Sequence, residues 1–310
     1  MTERIDYDEF GMFHENAAEY GLPYDGPPTV RRQFVEVGGG RRISALVWGE
    51  GAPELVLLHG GSQNAHTWDT VAMALGRPLV AVDLPGHGHS DGPADRVRGP
   101  LNVEANAADV AVAVRALAPD ARGVVGMSLG GLTLIALARQ APELVRRVVL
   151  VDITPGINRE SARHITDFVN GPPTFPSFEQ LLERTIQFNP TRSVSSLRRG
   201  ILHNAVQLED GSWEWRWARW RRQGASGPET PTSAAEDIYA EMWGWVSAIQ
   251  VPVMLARGMT AQSVIRDDDE AELLRRHPGA HVVRFVGAGH SIQGDKPVEL
   301  AREIEAFVFD

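Results

Sequence analysis

The chain has 310 residues, which is long enough for one large α/β domain and a smaller insertion. Hydrophobic residues make up 43% of it and charged residues 23%, as in an ordinary globular protein, and the net charge of −10 argues against nucleic acid or an anionic membrane as the main partner. The absence of cysteine excludes disulfides, thiolate catalysis and cysteine-based zinc sites.

Residues 1–28 are predicted to form an N-terminal extension with a short helix near 7–20, ended by a run of proline and glycine. From Val30 onward the pattern alternates between strands and helices. Residues 30–37 and 42–48 predict a hairpin; further strands are predicted at 54–58, 78–83, 123–125, 147–152, 251–256 and 281–286, and helices at 65–75, 103–117, 131–138, 268–276 and 297–309. This alternation predicts an α/β fold, a mostly parallel sheet with helices on both faces.

One stretch, residues 154–235, interrupts the alternation. It contains several prolines, short helical patterns and a tryptophan-rich run. We interpret it as a mainly helical cap inserted into the α/β domain. The predicted organisation is therefore an N-terminal extension (1–28), a core (29–153 and 236–310) and a cap (154–235).

A Gly-x-Ser-x-Gly pattern, residues 126–130, follows the strand that begins at Gly123 and precedes an apolar helix. Such a serine sits on a sharp strand-to-helix turn with its hydroxyl exposed above the sheet. Glycines two residues before and two after remove Cβ clashes in the turn. The competing interpretation is a glycine-rich turn with an incidental serine.

Three further motifs surround this turn in chain order. His59-Gly60-Gly61 follows the strand at 54–58, residues 83–90 read Asp-Leu-Pro-Gly-His-Gly-His-Ser, and Gly287-Ala288-Gly289-His290 follows the last strand. With these four motifs the chain from about residue 30 onward resembles the α/β-hydrolase superfamily. The superfamily carries many chemistries, so the motifs indicate the fold more strongly than the substrate.

The resemblance implies a role for each motif. Ser128 would be the nucleophile and His290 the base that activates it. The backbone N–H groups of Gly61 and Leu129 would form the oxyanion hole. His59, His87 and His89 are expected to shape their own loops, and the remaining histidines singled out, including His203, are expected to be solvated or capping.

The triad acid has two candidate positions. Most superfamily members place it three residues past a glycine after the penultimate strand, but here that position holds Ala261. Asp267, Asp268 and Asp269 follow shortly after and suit the first turn of a helix. Asp152 ends the strand beside the nucleophile strand, where some members carry their acid. We favour Asp152 and keep the 267–269 cluster as the alternative.

The run 213–220 carries four tryptophans at spacings of two, two and three, closer to a strand than to a helix. Packing within the cap is the simpler interpretation of Trp213 and Trp215. The alternative is an apolar roof over the substrate. The arginines in and after this run are more simply a solvated face than a carboxylate site.

The predicted function is a serine hydrolase that cleaves a small ester, lactone or related acyl substrate through an acyl-enzyme. Alternatives on the same triad are C–C or amide-bond hydrolysis and cofactor-free perhydrolase chemistry, and a non-catalytic ligand sensor is the alternative from another class.

No metal or organic cofactor is implied, and the expected partner is a small acyl molecule rather than nucleic acid or a membrane. The acidic N-terminus lacks a signal-peptide core and no apolar run reaches ~20 residues, so a cytoplasmic location is expected.

Overall fold

A computed structural model gives the fold, and it describes residues 4–92, 102–157, 160, 162–218 and 233–310, with the backbone alone for 233–237. Arg219, Trp220, Arg221 and Arg222 lie outside the described residues.

The described strands form two sheets. They are β1 (Val30–Gly38), β2 (Arg41–Trp48), β3 (Leu55–Leu58), β4 (Leu79–Val82), β5 (Gly123–Met127), β6 (Val148–Val151), β7 (Thr174–Phe175), β8 (Ala205–Gln207), β9 (Trp213–Trp215), β10 (Val253–Gly258) and β11 (His281–Phe285). The large sheet has eight strands in the order β1-β2-β4-β3-β5-β6-β10-β11. β1, β2 and β4 pair antiparallel, and the pairs from β4 across to β11 are parallel. The α/β class and the mostly parallel sheet predicted above are confirmed.

Helices cover both faces of this sheet. The described α-helices are α1 (Phe13–Tyr20), α2 (Asp69–Leu75), α3 (Val103–Leu117), α4 (Leu129–Gln140), α5 (Arg163–Val169), α6 (Phe178–Phe188), α7 (Val194–Asn204), α8 (Ser233–Ala248), α9 (Asp267–Arg276), α10 (Ile292–Asp295) and α11 (Pro297–Phe309). Side chains of α3, α4, α8 and α9 share one apolar core with the sheet, and those of α1, α2 and α11 share a second core on the opposite face. Since both faces are covered, β3 to β6 are buried along their whole length.

The inserted segment combines helices with a small antiparallel sheet, β7-β9-β8, in addition to the helices expected. Its apolar core gathers Trp213, Trp215 and Trp217 with Phe175 and Phe178. Helix α8 runs across position 235, where the sequence pattern placed the end of the cap, and contributes to the core under the large sheet. A continuous helix therefore joins the insertion to the body.

The N-terminal segment is packed between cap and body. Its helix begins at Phe13, later than the predicted start near residue 7, and Phe13 is buried in the body. Ile5 and Tyr7 pack against the apolar core of the cap. None of the described helices is both long and apolar enough to span a membrane.

Candidate active site

Ser128 occupies the turn between β5 and α4, at the carboxyl end of a central strand. Its backbone has φ 51° and ψ −119°, a conformation that costs a non-glycine residue about 1–3 kcal/mol. The turn is tight because a Cβ at Gly126 would clash with the backbone of Gly130, and one at Gly130 would clash with the carbonyl oxygen of Leu58. The two glycines of the motif therefore let α4 start directly against the sheet and leave Ser128 partly exposed.

The loop after β3 lies beside this serine. A Cβ built on Gly60 would be 3.2 Å from the Cβ of Ser128, and one on Gly61 would be 4.0 Å from the Cβ of Leu129. Leu129 is the first residue of α4, so its N–H has no partner within the helix. The structure thus brings Gly61 and Leu129 close together next to Ser128, and their role as an oxyanion hole stays a prediction.

His59 stabilises the conformation of this loop through both of its ring nitrogens. Its Nε2 accepts a hydrogen bond from the N–H of Leu84 at 2.9 Å, so its Nδ1 carries the proton and donates to the carbonyl oxygen of Gly60 at 2.7 Å. Complete burial lowers the pKa of His59, which keeps the ring neutral. The predicted role of this histidine in its own loop agrees with these contacts.

Asp152 and His290 meet at the same edge of the sheet. Asp152 follows β6, which pairs directly with β5, and His290 follows β11. The Nδ1 atom of His290 lies 2.9 Å from Oδ2 of Asp152. The ring is mostly enclosed, with 11% of its side-chain surface exposed, and the carboxylate is fully buried.

The buried carboxylate is fixed by donors from the end of β10 and the loop after it. Its Oδ1 accepts hydrogen bonds from the N–H of Gly258, the last residue of β10, at 2.8 Å and from the hydroxyl of Ser263 in the following loop at 2.6 Å. Its Oδ2 accepts from the N–H of Val264 at 3.0 Å as well as from the histidine. Asp152 also has a positive φ of 47°, which this set of contacts holds in place. Both carboxylate oxygens of Asp152 therefore have hydrogen-bond partners.

The three later aspartates lie in the first turn of α9. Asp267 is almost fully exposed and forms an ion pair with Arg257 at 2.7 Å. Asp269 accepts a hydrogen bond from the N–H of Arg266 at 2.8 Å as part of a capping box. Burial raises the pKa of Asp269, which does not suit a permanent anion beside a histidine. None of the contacts described for Asp267, Asp268 or Asp269 reaches His290.

Trp213 and Trp215 lie in the core of the cap. Each is about 4% exposed. Trp213 packs edge-on against Phe178, and Trp215 contacts Phe168 and Phe175. This placement matches the packing interpretation, and contact with a substrate remains a prediction.

Two features of the site were missed in the sequence. Ser263 is one of many serines, and only the path of the loop after β10 brings its hydroxyl to Asp152. His203 is buried, at 5% exposure, rather than solvated, and with His66 and Asp69 it forms the one group among the described residues that could hold a metal ion. The spacing of these three residues along the chain carries no metal-binding signature.

Comparison with known proteins places this geometry in a family. The Alpha/beta hydrolase family model matches residues 55–303. The esterase Rv0045c of Mycobacterium tuberculosis is 43% identical over 310 residues, 96% of this chain and 95% of that protein. The sn-1-specific diacylglycerol lipase ABHD11 of Xenopus laevis is 28% identical over 83% of this chain and 80% of its own length.

A solved structure of Rv0045c, described together with the inhibition of that esterase by transition metals, superposes with a TM-score of 0.81 at 41% identity and covers 99% of this chain and 100% of that one. The family match extends over most of the chain, and the relative matches it almost from end to end. The protein is therefore an enzyme of the α/β-hydrolase family, as its motifs predicted.

Proposed function

We propose that this protein is a carboxylic ester hydrolase that cleaves a small ester, lactone or related acyl substrate through an acyl-enzyme on Ser128. The observation that carries the proposal is the convergence of three elements at one sheet edge: the strained Ser128 turn, the loop of Gly61, and the Asp152–His290 pair. The name of the relative that is 43% identical, an esterase, supports this choice of substrate class.

In the acylation step, Oγ of Ser128 bonds to the substrate carbonyl carbon while its proton passes to Nε2 of His290. The carbonyl oxygen becomes an oxyanion and accepts hydrogen bonds from the N–H groups of Gly61 and Leu129. When the tetrahedral intermediate collapses, the ester C–O bond breaks and the departing alcohol takes the proton from His290. The acyl group remains on Ser128.

Deacylation repeats these steps with water. His290 takes a proton from the water as its oxygen bonds to the acyl carbon, and then returns a proton to Oγ of Ser128 as the acid leaves. Asp152 holds the Nδ1 proton of the ring through its 2.9 Å contact, which fixes the tautomer and stabilises the imidazolium.

The proposal is tested with p-nitrophenyl esters of increasing chain length and a fluorophosphonate label. We expect the wild-type protein to hydrolyse the esters and to gain the mass of one label on Ser128. Ser128→Ala should lower kcat by about 10⁶ because the nucleophile is lost, and should abolish labelling. His290→Ala should be similarly inactive.

The matched control is Ser247→Ala, which removes an exposed serine hydroxyl on α8. It should retain wild-type kcat and labelling. Undiminished labelling of Ser128→Ala, or a wild-type protein that turns over no ester while binding one, would contradict the proposal; the second result favours a ligand sensor.

We also propose that transition metal ions lower the activity of this protein, since the related Rv0045c esterase is described as inhibited by them.

A further inference from the structure

A buried cluster of two histidines and one carboxylate lies where the cap meets the body. His66 comes from the short helix after the oxyanion loop, Asp69 begins α2, and His203 lies near the end of α7 in the cap. Their relative exposures are 8%, 2% and 5%. The proposed mechanism does not use any of these side chains.

One candidate ligand atom from each side chain lies in the same small region. Nδ1 of His66 is 2.9 Å from Oδ2 of Asp69, Nε2 of His203 is 3.8 Å from the same oxygen, and the three atoms lie within 4.8 Å of one another. A tetrahedral Zn²⁺ ion with bonds of about 2.0–2.1 Å holds its ligand atoms roughly 3.3 Å apart. The observed separations bracket that value.

The other ring nitrogen of each histidine already has an oxygen partner. Nε2 of His66 contacts a carboxylate oxygen of Glu9 at 3.0 Å, and Nδ1 of His203 contacts the hydroxyl of Tyr7 at 2.8 Å. Metal-binding histidines usually have this arrangement, in which the distal nitrogen is held by a carboxylate or another oxygen and the proximal one is left for the ion. Both partners come from the N-terminal segment.

The cluster also contains an unsatisfied atom. Oδ1 of Asp69 is buried and has no hydrogen-bond partner among the residues that the structure describes. A buried carboxylate oxygen without a donor is costly, and a bound cation would compensate it.

We propose that His66, Asp69 and His203 form a site for a divalent transition metal ion such as Zn²⁺ or Co²⁺. His66 gives up its Nδ1 proton to the solvent when the ion binds. The two imidazole rings are stacked with centroids 3.8 Å apart and planes 10° from parallel, so one ion cannot lie in both ring planes. The His203 ring therefore turns out of the stack to coordinate the ion.

Two hydrogen bonds connect this end of α7 to the loop that carries Gly61. The side chain of Asn204, next to His203, donates to the carbonyl oxygen of Ser62 at 2.6 Å. The side chain of Asn64 donates to the carbonyl oxygen of His203 at 3.0 Å. Ion binding at His203 consequently shifts the loop that carries Gly61 and lowers kcat, which accounts for the metal sensitivity proposed above.

The binding test uses the full chain carrying Ser128→Ala and His290→Ala, so that the proposed active site offers neither nucleophile nor imidazole to the metal. We expect one Zn²⁺ per chain by calorimetry, a rise in Tm on adding Zn²⁺, and visible absorption bands of four- or five-coordinate Co²⁺. In that background His203→Phe keeps a ring against His66 but removes a ligand, and should weaken binding about a hundredfold or more. Glu9→Gln removes the carboxylate that contacts both His66 and Arg32 without removing a ligand atom, and should weaken binding about ten- to a hundredfold.

His164→Phe is the matched control, since it replaces another cap histidine that lies outside the cluster. It should bind Zn²⁺ as the parent does. Equal Zn²⁺ affinity in the parent, His203→Phe and Glu9→Gln overturns the proposal, and so does a parent that binds no Zn²⁺ at all. Because these variants are compared without turnover, their outcome is independent of the esterase assignment.

A second measurement separates this site from inhibition at the active site. In the otherwise wild-type enzyme, His203→Phe should hydrolyse esters with a Zn²⁺ inhibition constant raised about tenfold or more relative to His164→Phe. Identical inhibition of the two variants would place the inhibitory ion elsewhere.

Discussion

At the scale of single residues, the geometry of the site is most informative about which aspartate is the triad acid. Asp152 contacts His290 and receives three further hydrogen bonds from the end of β10 and the loop that follows it. In this chain that loop supplies donors to the carboxylate rather than a carboxylate of its own. We therefore propose that the triad acid is Asp152, on the strand beside β5, and not a residue after the penultimate strand.

The first prediction concerns Asp152. Asp152→Asn should keep the size of the side chain but favour the wrong tautomer of His290, lowering kcat by about 10⁴. Asp267→Asn, Asp268→Asn and Asp269→Asn should each change kcat less than tenfold, because the contacts of Asp267 and Asp269 are with Arg257 and Arg266 and not with His290. Steady-state kinetics on one p-nitrophenyl ester measures all four. The assignment fails if a 267–269 variant is the inactive one and Asp152→Asn is active.

The second prediction concerns Ser263 as a positioning residue. Loss of a hydrogen bond to a charged group is worth about 1.5–3 kcal/mol, so Ser263→Ala should lower kcat by about 10- to 100-fold. KM should stay unchanged, because the hydroxyl contacts Asp152 and not the substrate. Ser263→Thr keeps a hydroxyl and should recover most of the loss. A change confined to KM, or no rescue by threonine, would argue against this role.

At the scale of elements, the cap has a core of its own. Its small sheet β7-β9-β8 and helices α6 and α7 enclose Trp213 and Trp215. The edge-on contacts between these rings and the neighbouring phenylalanines are typical of stable aromatic packing. The cap is therefore stabilised from within, and the N-terminal segment and Asn204 attach it to the body.

The third prediction follows from this packing. Trp213→Ala should lower the free energy of unfolding by about 3–5 kcal/mol, because a large buried ring leaves a cavity. The ratio of kcat/KM between long and short acyl esters should change little. Denaturant titration and ester kinetics measure the two effects, and Phe34→Ala, at a residue that is 46% exposed, is the control. Unchanged stability with altered chain-length preference would show that Trp213 lines the substrate pocket instead.

At the scale of the whole molecule, the pH dependence of stability involves buried histidines that are uncharged in the folded state. His87 packs edge-on against His59, and both rings are buried. Burial, together with the neighbouring His59, lowers the pKa of His87 to about 3, far below its ordinary value of 6.5. Below pH 6.5 the unfolded chain therefore carries a proton on His87, whereas the same ring stays unprotonated in the native protein.

The fourth prediction is the resulting pH dependence. Because the unfolded state binds more protons between pH 6.5 and about 3, the free energy of unfolding falls as the pH falls through this window. At pH 5 His87 alone should account for a loss of about 2 kcal/mol relative to pH 8. His87→Gln should remove this share of the pH dependence. Urea titrations at pH 8 and pH 5 measure it, and an unchanged difference between the two pH values in the variant would contradict the prediction.

The sequence by itself determined the family and the order of the motifs. Strand and helix periodicity gave the α/β class, because each parallel strand and its helix is a local unit with its own pattern of apolar residues. The Gly-x-Ser-x-Gly turn could be recognised because its glycines are imposed by contacts within a few residues, as the close approach of Gly126 and Gly130 shows. Ser128 and His290 each lie in such a local motif.

Tertiary structure decided what depends on contacts between distant parts of the chain. A hydroxyl such as that of Ser263 carries no pattern that marks it, and it reaches Asp152 across 111 positions only when β6 and β10 pair. His66, Asp69 and His203 likewise converge only when α7 of the cap docks on the short helix that precedes α2 in the body. Burial and partner identity are properties of packing between distant segments, so local periodicity cannot encode them.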